Sequence, residues 1–115
     1  MTTEIEEYLD EYGRSPFGEW FDDLPAVAAA KVAVAIDRIG RGLPGDVKSI
    51  GVGVSERRID FGPGYRIYFG SIKEGNAVKI VILLGGGTKK RQNKDIAIAH
   101  FRWKDCKARR RKGEE

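Results

Sequence analysis

The chain has 115 residues, with 21 Lys and Arg against 17 Asp and Glu, one cysteine and one histidine. This length fits one domain, and an apolar content of 41% is typical of a globular protein. A single cysteine excludes an internal disulfide, and one cysteine with one histidine makes a metal site unexpected. The acidic N-terminus does not resemble a signal peptide, and no apolar run is long enough to cross a membrane. We therefore expect a cytoplasmic protein that needs no metal or cofactor and does not bind a membrane.

The net charge of +4 hides two segments of opposite sign. Residues 1–25 hold eight acids and one base, a net charge of −7, whereas residues 88–112 hold eleven bases and two acids, a net charge of +9. A basic block of this kind is typical of a surface that binds a polyphosphate such as nucleic acid. The alternative is a solvated helix followed by a flexible basic tail, which we place at residues 106–115.

The first half of the chain predicts one short element and two helices. Residues 3–9 alternate in part and fit either a first strand or the start of a helix. Ser15 followed by Pro16 is typical of a helix N-cap and first helical position. The first helix carries an apolar stripe, and the second, which begins at Pro25, carries another: Phe17, Trp20, Phe21 and Leu24 in the first, and Val27, Ala30, Val34, Ile36 and Ile39 in the second.

The second half changes to the two-residue period of strands. Residues 47–61, 65–69 and 78–84 are rich in β-branched and aromatic side chains, and turn signals separate them. Short links between consecutive strands predict an antiparallel meander. We predict a flexible exit at residues 85–87, which are all glycine. A C-terminal helix follows from the spacing of Ile96, Ala99, His100 and Trp103, so the fold class is α+β.

Alternation along two of these strands places cationic side chains together. Arg58 of one strand and Arg66 and Tyr68 of the next fall on one face, opposite the Ile and Phe side chains that we expect to pack on the helices. Neighbouring strands lie about 5 Å apart, so these side chains converge on an open, concave face. Arginine holds phosphate and tyrosine stacks on a base, so this face suits RNA. The ordinary alternative is cross-strand pairing of the arginines with Glu56 and Asp60.

Two runs of the sequence carry a resemblance to a known family. Residues 56–69 read ERRIDFGPGYRIYF, and residues 83–89 read LLGGGTK, followed by Gln92, Lys94 and Asp95. Together they resemble the RelE/ParE toxin superfamily, and more narrowly its phage-derived, HigB-like branch of addiction module killer proteins. The resemblance extends over residues 3–103.

The resemblance implies a fold and a function. The fold is the RelE-like, or microbial RNase-like, twisted antiparallel sheet with two N-terminal helices on one face and a C-terminal helix, in a single toxin domain over residues 1–105. The function is that of the toxin in a type II toxin–antitoxin module, a ribosome-dependent mRNA endonuclease that inhibits translation. The implied partners are a helix-turn-helix antitoxin, the ribosome and mRNA.

The resemblance also implies roles for particular residues. Arg58, Arg66 and Lys89 match basic residues of the family's active face and are the expected catalytic residues. We expect residues around them to bind RNA: Tyr68, Lys90, Arg91, Gln92 and Lys94. In this mechanism the cations hold the scissile phosphate and stabilise its transition-state charge while the ribose 2′-hydroxyl attacks. The C-terminal tyrosine of some relatives has no clear counterpart here, which leaves the general acid and base unassigned.

Two other functions stay open on the same scaffold: a ParE-like inhibitor of DNA gyrase and a non-catalytic nucleic-acid-binding module. Alternatives also stay open for single residues of the C-terminal helix. We expect His100 and Trp103 to serve in packing rather than in base catalysis or base stacking. We expect Cys106 to be an ordinary surface thiol.

Overall fold

The computed structural model describes residues 3–113, and these form an α+β fold of five strands and three α-helices. In chain order the elements are β1 (Glu4–Glu7), α1 (Pro16–Asp22), α2 (Ala26–Gly40), β2 (Val47–Ser49), β3 (Val54–Ile59), β4 (Tyr65–Glu74), β5 (Ala77–Thr88) and α3 (Gln92–Arg111), with a 3-10 turn (Lys89–Arg91) before α3. The predicted α+β class is therefore confirmed, and residues 3–9 supply a strand. Residues 1–2 of the predicted domain and 114–115 of the predicted tail lie outside the described residues. Within 3–113, no helix has the length and apolar character needed to span a bilayer.

The five strands form one sheet in the order β1-β5-β4-β3-β2. Strands β2 to β5 form the predicted antiparallel meander. β1 pairs in parallel with β5, with Glu4 opposite Ile80 and Glu7 opposite Leu83, so the prediction of a wholly antiparallel sheet is wrong. The reason is that α1 and α2 carry the chain from β1 to the far edge of the sheet, a crossover long enough to permit parallel pairing.

A tight turn divides the first predicted strand region into β2 and β3. Ile50 N donates to Val54 O at 2.9 Å, and Val54 N donates to Gly51 O at 3.0 Å. Gly51, Val52 and Gly53 all have positive φ, at 93°, 48° and 87°. The two glycines adopt this conformation easily, whereas the β-branched Val52 is strained in it.

Ser15 caps α1 as predicted. Its Oγ accepts a hydrogen bond from Gly18 N at 2.9 Å, and Pro16 takes the first helical position. The same hydroxyl donates to Glu7 Oε1 at 2.5 Å. The cap therefore starts the helix and also ties it to the end of β1.

The three consecutive glycines belong to β5, so the predicted flexible exit is wrong. They pair with β4 in register: Gly85 with Tyr68, Gly86 with Ile67 and Gly87 with Arg66. A β-carbon built at Gly86 would lie 2.5 Å from Trp20 Cδ2, and one built at Gly87 would lie 2.9 Å from Asp95 Cγ. Glycine is required here because side chains from helices on both faces approach the β5 backbone closely.

The face of α2 that packs on the sheet agrees only in part with the predicted stripe, of which Ile39 is buried and Ile36 packs partly buried against the core. Its buried side chains pack in one core with inward residues of β3, β4 and β5, and they are Ala28, Val32, Ala35 and Ile39. Val27 and Val34 of the predicted stripe are 60% and 53% exposed. Alanine and valine occur all round this helix, so periodicity alone did not separate its two faces.

α3 covers part of the sheet face that we predicted to be open. Ala99, Trp103 and Cys106 are buried there in a second core that includes Tyr68. Trp103 lies over Gly70, where no side chain competes for the space, and its expected packing role is confirmed. The prediction of a surface thiol at Cys106 is wrong, because α3 continues past this residue along the sheet.

The last turns of α3 are docked on the N-terminal segment. Arg109 Nη2 donates to Leu9 O at 2.6 Å and to Asp105 Oδ2 at 2.5 Å. Arg110 Nη1 lies 3.3 Å from Glu6 Oε1, so the acidic first segment and the basic last segment meet in the fold. Residues 106–111 belong to α3, and the predicted start of a flexible tail therefore falls inside a helix.

Tyr8 joins the N-terminal segment to α3 and sets an alkaline limit on stability. Its hydroxyl donates to Asp105 Oδ2 at 2.6 Å. Burial, together with this carboxylate, raises the pKa of Tyr8 from 10.0 to about 12. Because the folded state holds the proton more tightly than the unfolded state, this contribution to stability is complete below pH 10.0 and is lost as the pH rises to about 12.

We predict that Tyr8→Phe has a lower melting temperature than the wild type at neutral pH but loses less stability at high pH. The melting temperature falls at neutral pH because the hydrogen bond to Asp105 is lost. The loss at high pH is smaller because phenylalanine has no proton to release in the folded or the unfolded state. Thermal unfolding of both proteins at pH 9 and pH 11 measures the difference. Equal losses of melting temperature between these two pH values would contradict the prediction.

Candidate nucleic-acid interface

Arg58 of β3 and Arg66 of β4 stand directly opposite each other in the sheet. Like charges at directly opposed positions destabilise a sheet. On its other side Arg66 pairs with Gly87 of β5, which has no side chain. Arg66 is only 8% exposed, so the desolvation of its charge adds to the repulsion. A locally unfavourable arrangement of this kind is expected where function needs concentrated positive charge.

Both arginines keep donors that the fold does not use. Arg58 Nη2 contacts Asp46 Oδ1 at 3.2 Å. Within residues 3–113, neither arginine forms the alternative ion pairs with Glu56 or Asp60. The Nε atoms of Arg58 and Arg66 are buried, and neither has a hydrogen-bond partner among the described residues. Arg58 is partly exposed and open to an anion, whereas Arg66 is buried and can contact one only through the small part of its side chain that stays accessible.

A buried carboxylate lies on the same face of the sheet. Glu56 stands opposite Tyr68 and is 0% exposed. Gln92 Nε2 donates to Glu56 Oε2 at 2.8 Å, whereas Oε1 has no hydrogen-bond partner in the part of the chain that the structure describes. Gln92, for which we predict RNA binding, is partly buried, and its amide links the first turn of α3 to β3.

Tyr68 is 1% exposed, so its predicted place on an open face, where it would stack on a base, is wrong. The reason is that α3 packs over it. Burial raises the pKa of Tyr68 above the usual 10.0, and the negative charges of Glu56 and Asp95 raise it further. The hydroxyl therefore stays protonated at neutral pH and is a hydrogen-bond donor.

The 3-10 turn after β5 carries three consecutive exposed bases, Lys89, Lys90 and Arg91. Lys89 N donates to Gly64 O at 2.9 Å, which holds the turn beside the start of β4. Lys94 in the first turn of α3 is exposed as well. The structure thus brings six predicted site residues to one end of the sheet, and we call them the cationic group: Arg58, Arg66, Lys89, Lys90, Arg91 and Lys94.

A cleft of about 300 Å³ opens next to the cationic group. Its walls come from α1, β5, the 3-10 turn and α3, and they include Trp20, Arg91, Asp95, Arg102 and the glycines at 85–87. Tyr68 also contributes to the lining. Because Gly87 lines the cleft and pairs with Arg66, the cleft and the opposed arginines are immediate neighbours.

Sequence reasoning did not identify Asp95 and Arg102 as site residues. Burial raises the pKa of Asp95, and burial lowers the pKa of Arg102. Arg102 Nη1 donates to Leu84 O at 2.9 Å, at a β-bulge where the pairing of β4 with β5 skips Leu84. Helical spacing could have found both residues, because positions 95, 98 and 102 share one face of α3.

His100 lies away from the cationic group and serves in packing, as expected. Its Nε2 is 2.7 Å from Ile50 O, so the ring connects α3 to the turn between β2 and β3. The ring is partly buried in this position. The chain's single imidazole therefore supports the position of α3 on the sheet.

Comparison with curated proteins found a protein that is similar in sequence to this chain. No family model matches the sequence, and no solved structure matches the chain. An uncharacterized protein of Haemophilus influenzae is 46% identical over 84 residues, which cover 72% of this chain and 81% of that protein. The chain therefore belongs to the same family as this uncharacterized protein of Haemophilus influenzae.

Proposed function

We propose that this protein is the RelE/ParE-type toxin of a type II toxin–antitoxin module and that it cleaves mRNA on the ribosome. The resemblance of residues 56–69 and 83–89 to the HigB-like branch supports the proposal. The architecture supports it as well, because α1 and α2 pack on one face of the sheet and α3 follows at the C-terminus.

The observation that carries the proposal is the pair of opposed arginines beside the basic turn. Arg58 and Arg66 repel each other in the free protein. A phosphodiester held by them and by Lys89 replaces this repulsion with attraction to an anion. The transition state of phosphodiester cleavage carries more negative charge than the substrate, so cations fixed in place stabilise it more than they stabilise the substrate.

The reaction that suits these residues is attack of a ribose 2′-hydroxyl on the neighbouring phosphorus. A bond forms between O2′ and phosphorus, and the bond from phosphorus to O5′ breaks. The 2′-hydroxyl loses its proton and O5′ gains one, so the products are a 2′,3′-cyclic phosphate and a 5′-hydroxyl. Arg58, Arg66 and Lys89 neutralise the charge that develops on the non-bridging oxygens.

The exposed bases of the cationic group suit the partners of such a toxin. Lys90, Arg91 and Lys94 offer contacts to phosphates of mRNA and ribosomal RNA, and such contacts weaken as salt increases. A helix-turn-helix antitoxin with acidic side chains would dock on the same cations by charge complementarity. Bound there, it would block the site.

A second candidate is a non-catalytic nucleic-acid-binding module. Imidazole is the commonest general base or acid in enzymes. The chain's single imidazole, on His100, is engaged with Ile50 O away from the cationic group. This observation favours a binding module, in which the cations hold RNA without cleaving it.

Inducible expression in a bacterial host, followed by primer extension on abundant mRNAs, tests the proposal. We expect growth arrest together with new mRNA 5′ ends inside translated regions. Arrest with intact mRNA and damaged DNA would indicate a ParE-like gyrase inhibitor instead. Soluble, folded protein without arrest, but with salt-dependent RNA binding, would indicate the non-catalytic module.

A further inference from the structure

We propose that the cleft beside Arg66 binds a guanine base of the RNA and that Asp95 and Arg102 recognise its hydrogen-bonding edge. This inference rests on the proposed function and deepens it, because it names the base selected next to the cleaved bond. The cleft adjoins the cationic group through Gly87, which pairs with Arg66. A nucleotide whose phosphate contacts Arg66 therefore has its base beside the cleft.

The cleft has the size and the walls of a site for one base. Its volume of about 300 Å³ lies at the lower end of the range for small-molecule sites. Trp20 and Pro16 supply apolar surface, and the glycines at 85–87 contribute a wall without side chains. A flat ring can approach the β5 backbone there, as the indole of Trp20 does at Gly86.

Asp95 brings to this cleft a carboxylate that has no strong partner. Its Oδ1 lies 3.8 Å from Arg91 Nη2, which is too far for a hydrogen bond. Its Oδ2 is buried and has no hydrogen-bond partner within 3–113. A carboxylate in this state is costly to bury. Because Oδ2 packs against Gly87 and has almost no accessible surface, binding requires the Asp95 side chain to turn toward the cleft, where a ligand edge with two adjacent donors would satisfy it. Guanine presents such an edge, with N1–H beside the N2 amino group.

Arg102 supplies donors that complement this carboxylate. Its Nη1 is engaged by Leu84 O at 2.9 Å, and a guanidinium has five N–H donors in total, so others remain for guanine O6. Adenine and cytosine each present one amino group beside a bare ring nitrogen, which a carboxylate repels. Uracil presents one N–H between two carbonyl oxygens. A carboxylate next to a guanidinium therefore favours guanine.

The inference is tested by titrating the whole chain with GMP, AMP, CMP and UMP and measuring the affinity for each nucleotide by NMR. We expect GMP to bind most tightly and Asp95→Asn to weaken GMP binding about 10- to 100-fold, the range for one lost bidentate base contact. Asp37→Asn changes an exposed carboxylate of α2 and is the matched control, expected to keep the wild-type preference. Arg102→Lys, which removes the forked donor group, provides a second test if Asp95→Asn does not fold.

Equal affinities for the four nucleotides, or GMP binding that neither variant weakens, would overturn the inference. Mapping of cleavage sites then separates it from the proposed function. RNA cleavage without enrichment of guanine beside the cut would reject the guanine site and leave the nuclease intact. GMP preference that depends on Asp95, in a protein that cleaves no RNA, would support the guanine site and reject the nuclease.

Discussion

Replacing Arg66 with glutamine is expected to reduce cleavage of ribosome-bound mRNA by about 100- to 1,000-fold, the usual cost of removing one fixed donor to transition-state charge. Neither cross-strand neighbour of Arg66 can replace its charge, because Gly87 has no side chain and Arg58 also contacts Asp46. Single-turnover cleavage by purified protein on programmed ribosomes measures the effect, because under these conditions the chemical step is observed apart from product release.

The matched control for Arg66→Gln is Arg41→Gln. Arg41 is an exposed arginine just after the end of α2 that pairs with Asp37 at 3.0 Å, so we expect its loss to leave cleavage near the wild-type rate. Arg66→Gln should remain folded, because relief of the repulsion with Arg58 offsets the lost packing. Wild-type cleavage by a folded Arg66→Gln protein would refute the assigned role of the opposed arginines.

Gly70→Ala is expected to lower the free energy of unfolding by about 1–3 kcal/mol, the cost of overpacking a core. A β-carbon at this position would lie 2.6 Å from Trp103 Cδ2. Neither partner can yield easily, because Gly70 pairs with Val54 on one side and Ile82 on the other, and Trp103 is buried beneath α3. Urea unfolding measured by circular dichroism gives the free energy.

Gly40→Ala is the matched control for this substitution. Gly40 is the last residue of α2, and a β-carbon there would make ordinary contact at 3.5 Å with Ile5 Cδ1. Alanine is the better helix former, so we expect Gly40→Ala to leave stability unchanged or to raise it by up to about 1 kcal/mol. If Gly70→Ala were as stable as the wild type, α3 would not pack on β4 as described.

Elements that depend on neighbouring residues could be predicted from the sequence. The pair Ser15 and Pro16 located the start of α1, because capping acts over three residues. Alternation placed Arg58 and Arg66 on one face, and the sheet register confirms that they stand opposite each other. The spacing of Ala99 and Trp103 likewise located the buried side of α3.

Features that depend on distant parts of the chain could not be predicted in this way. The parallel pairing of β1 with β5 is set by the crossover through two helices, which no local pattern reports. The buried face of α2 was ambiguous because Val27 and Val34 are as apolar as the residues that are buried. In both cases the local sequence is compatible with two arrangements, and contacts with distant residues decide between them.

For the candidate site, the sequence predicted the cations but not the residues that surround them. Tyr68 was placed on an open face because strand alternation says which face a side chain occupies but not what covers that face. Gly70 is the residue that lets α3 lie close there, and its meaning is clear only once Trp103 is known to pack on it. Asp95 was not assigned to the site because one of only two acids in a basic segment carries little signal until the cleft is seen.

The most direct test of the proposed chemistry uses an mRNA with a single 2′-deoxy substitution at the nucleotide before a mapped cleavage site. The purified protein acts on this mRNA and on the unmodified mRNA in programmed ribosomes. We predict that the unmodified mRNA yields 2′,3′-cyclic phosphate and 5′-hydroxyl ends and that the substituted bond is not cut. Cleavage of the substituted bond, or products that carry a 5′-phosphate, would contradict attack by the 2′-hydroxyl at the cationic group.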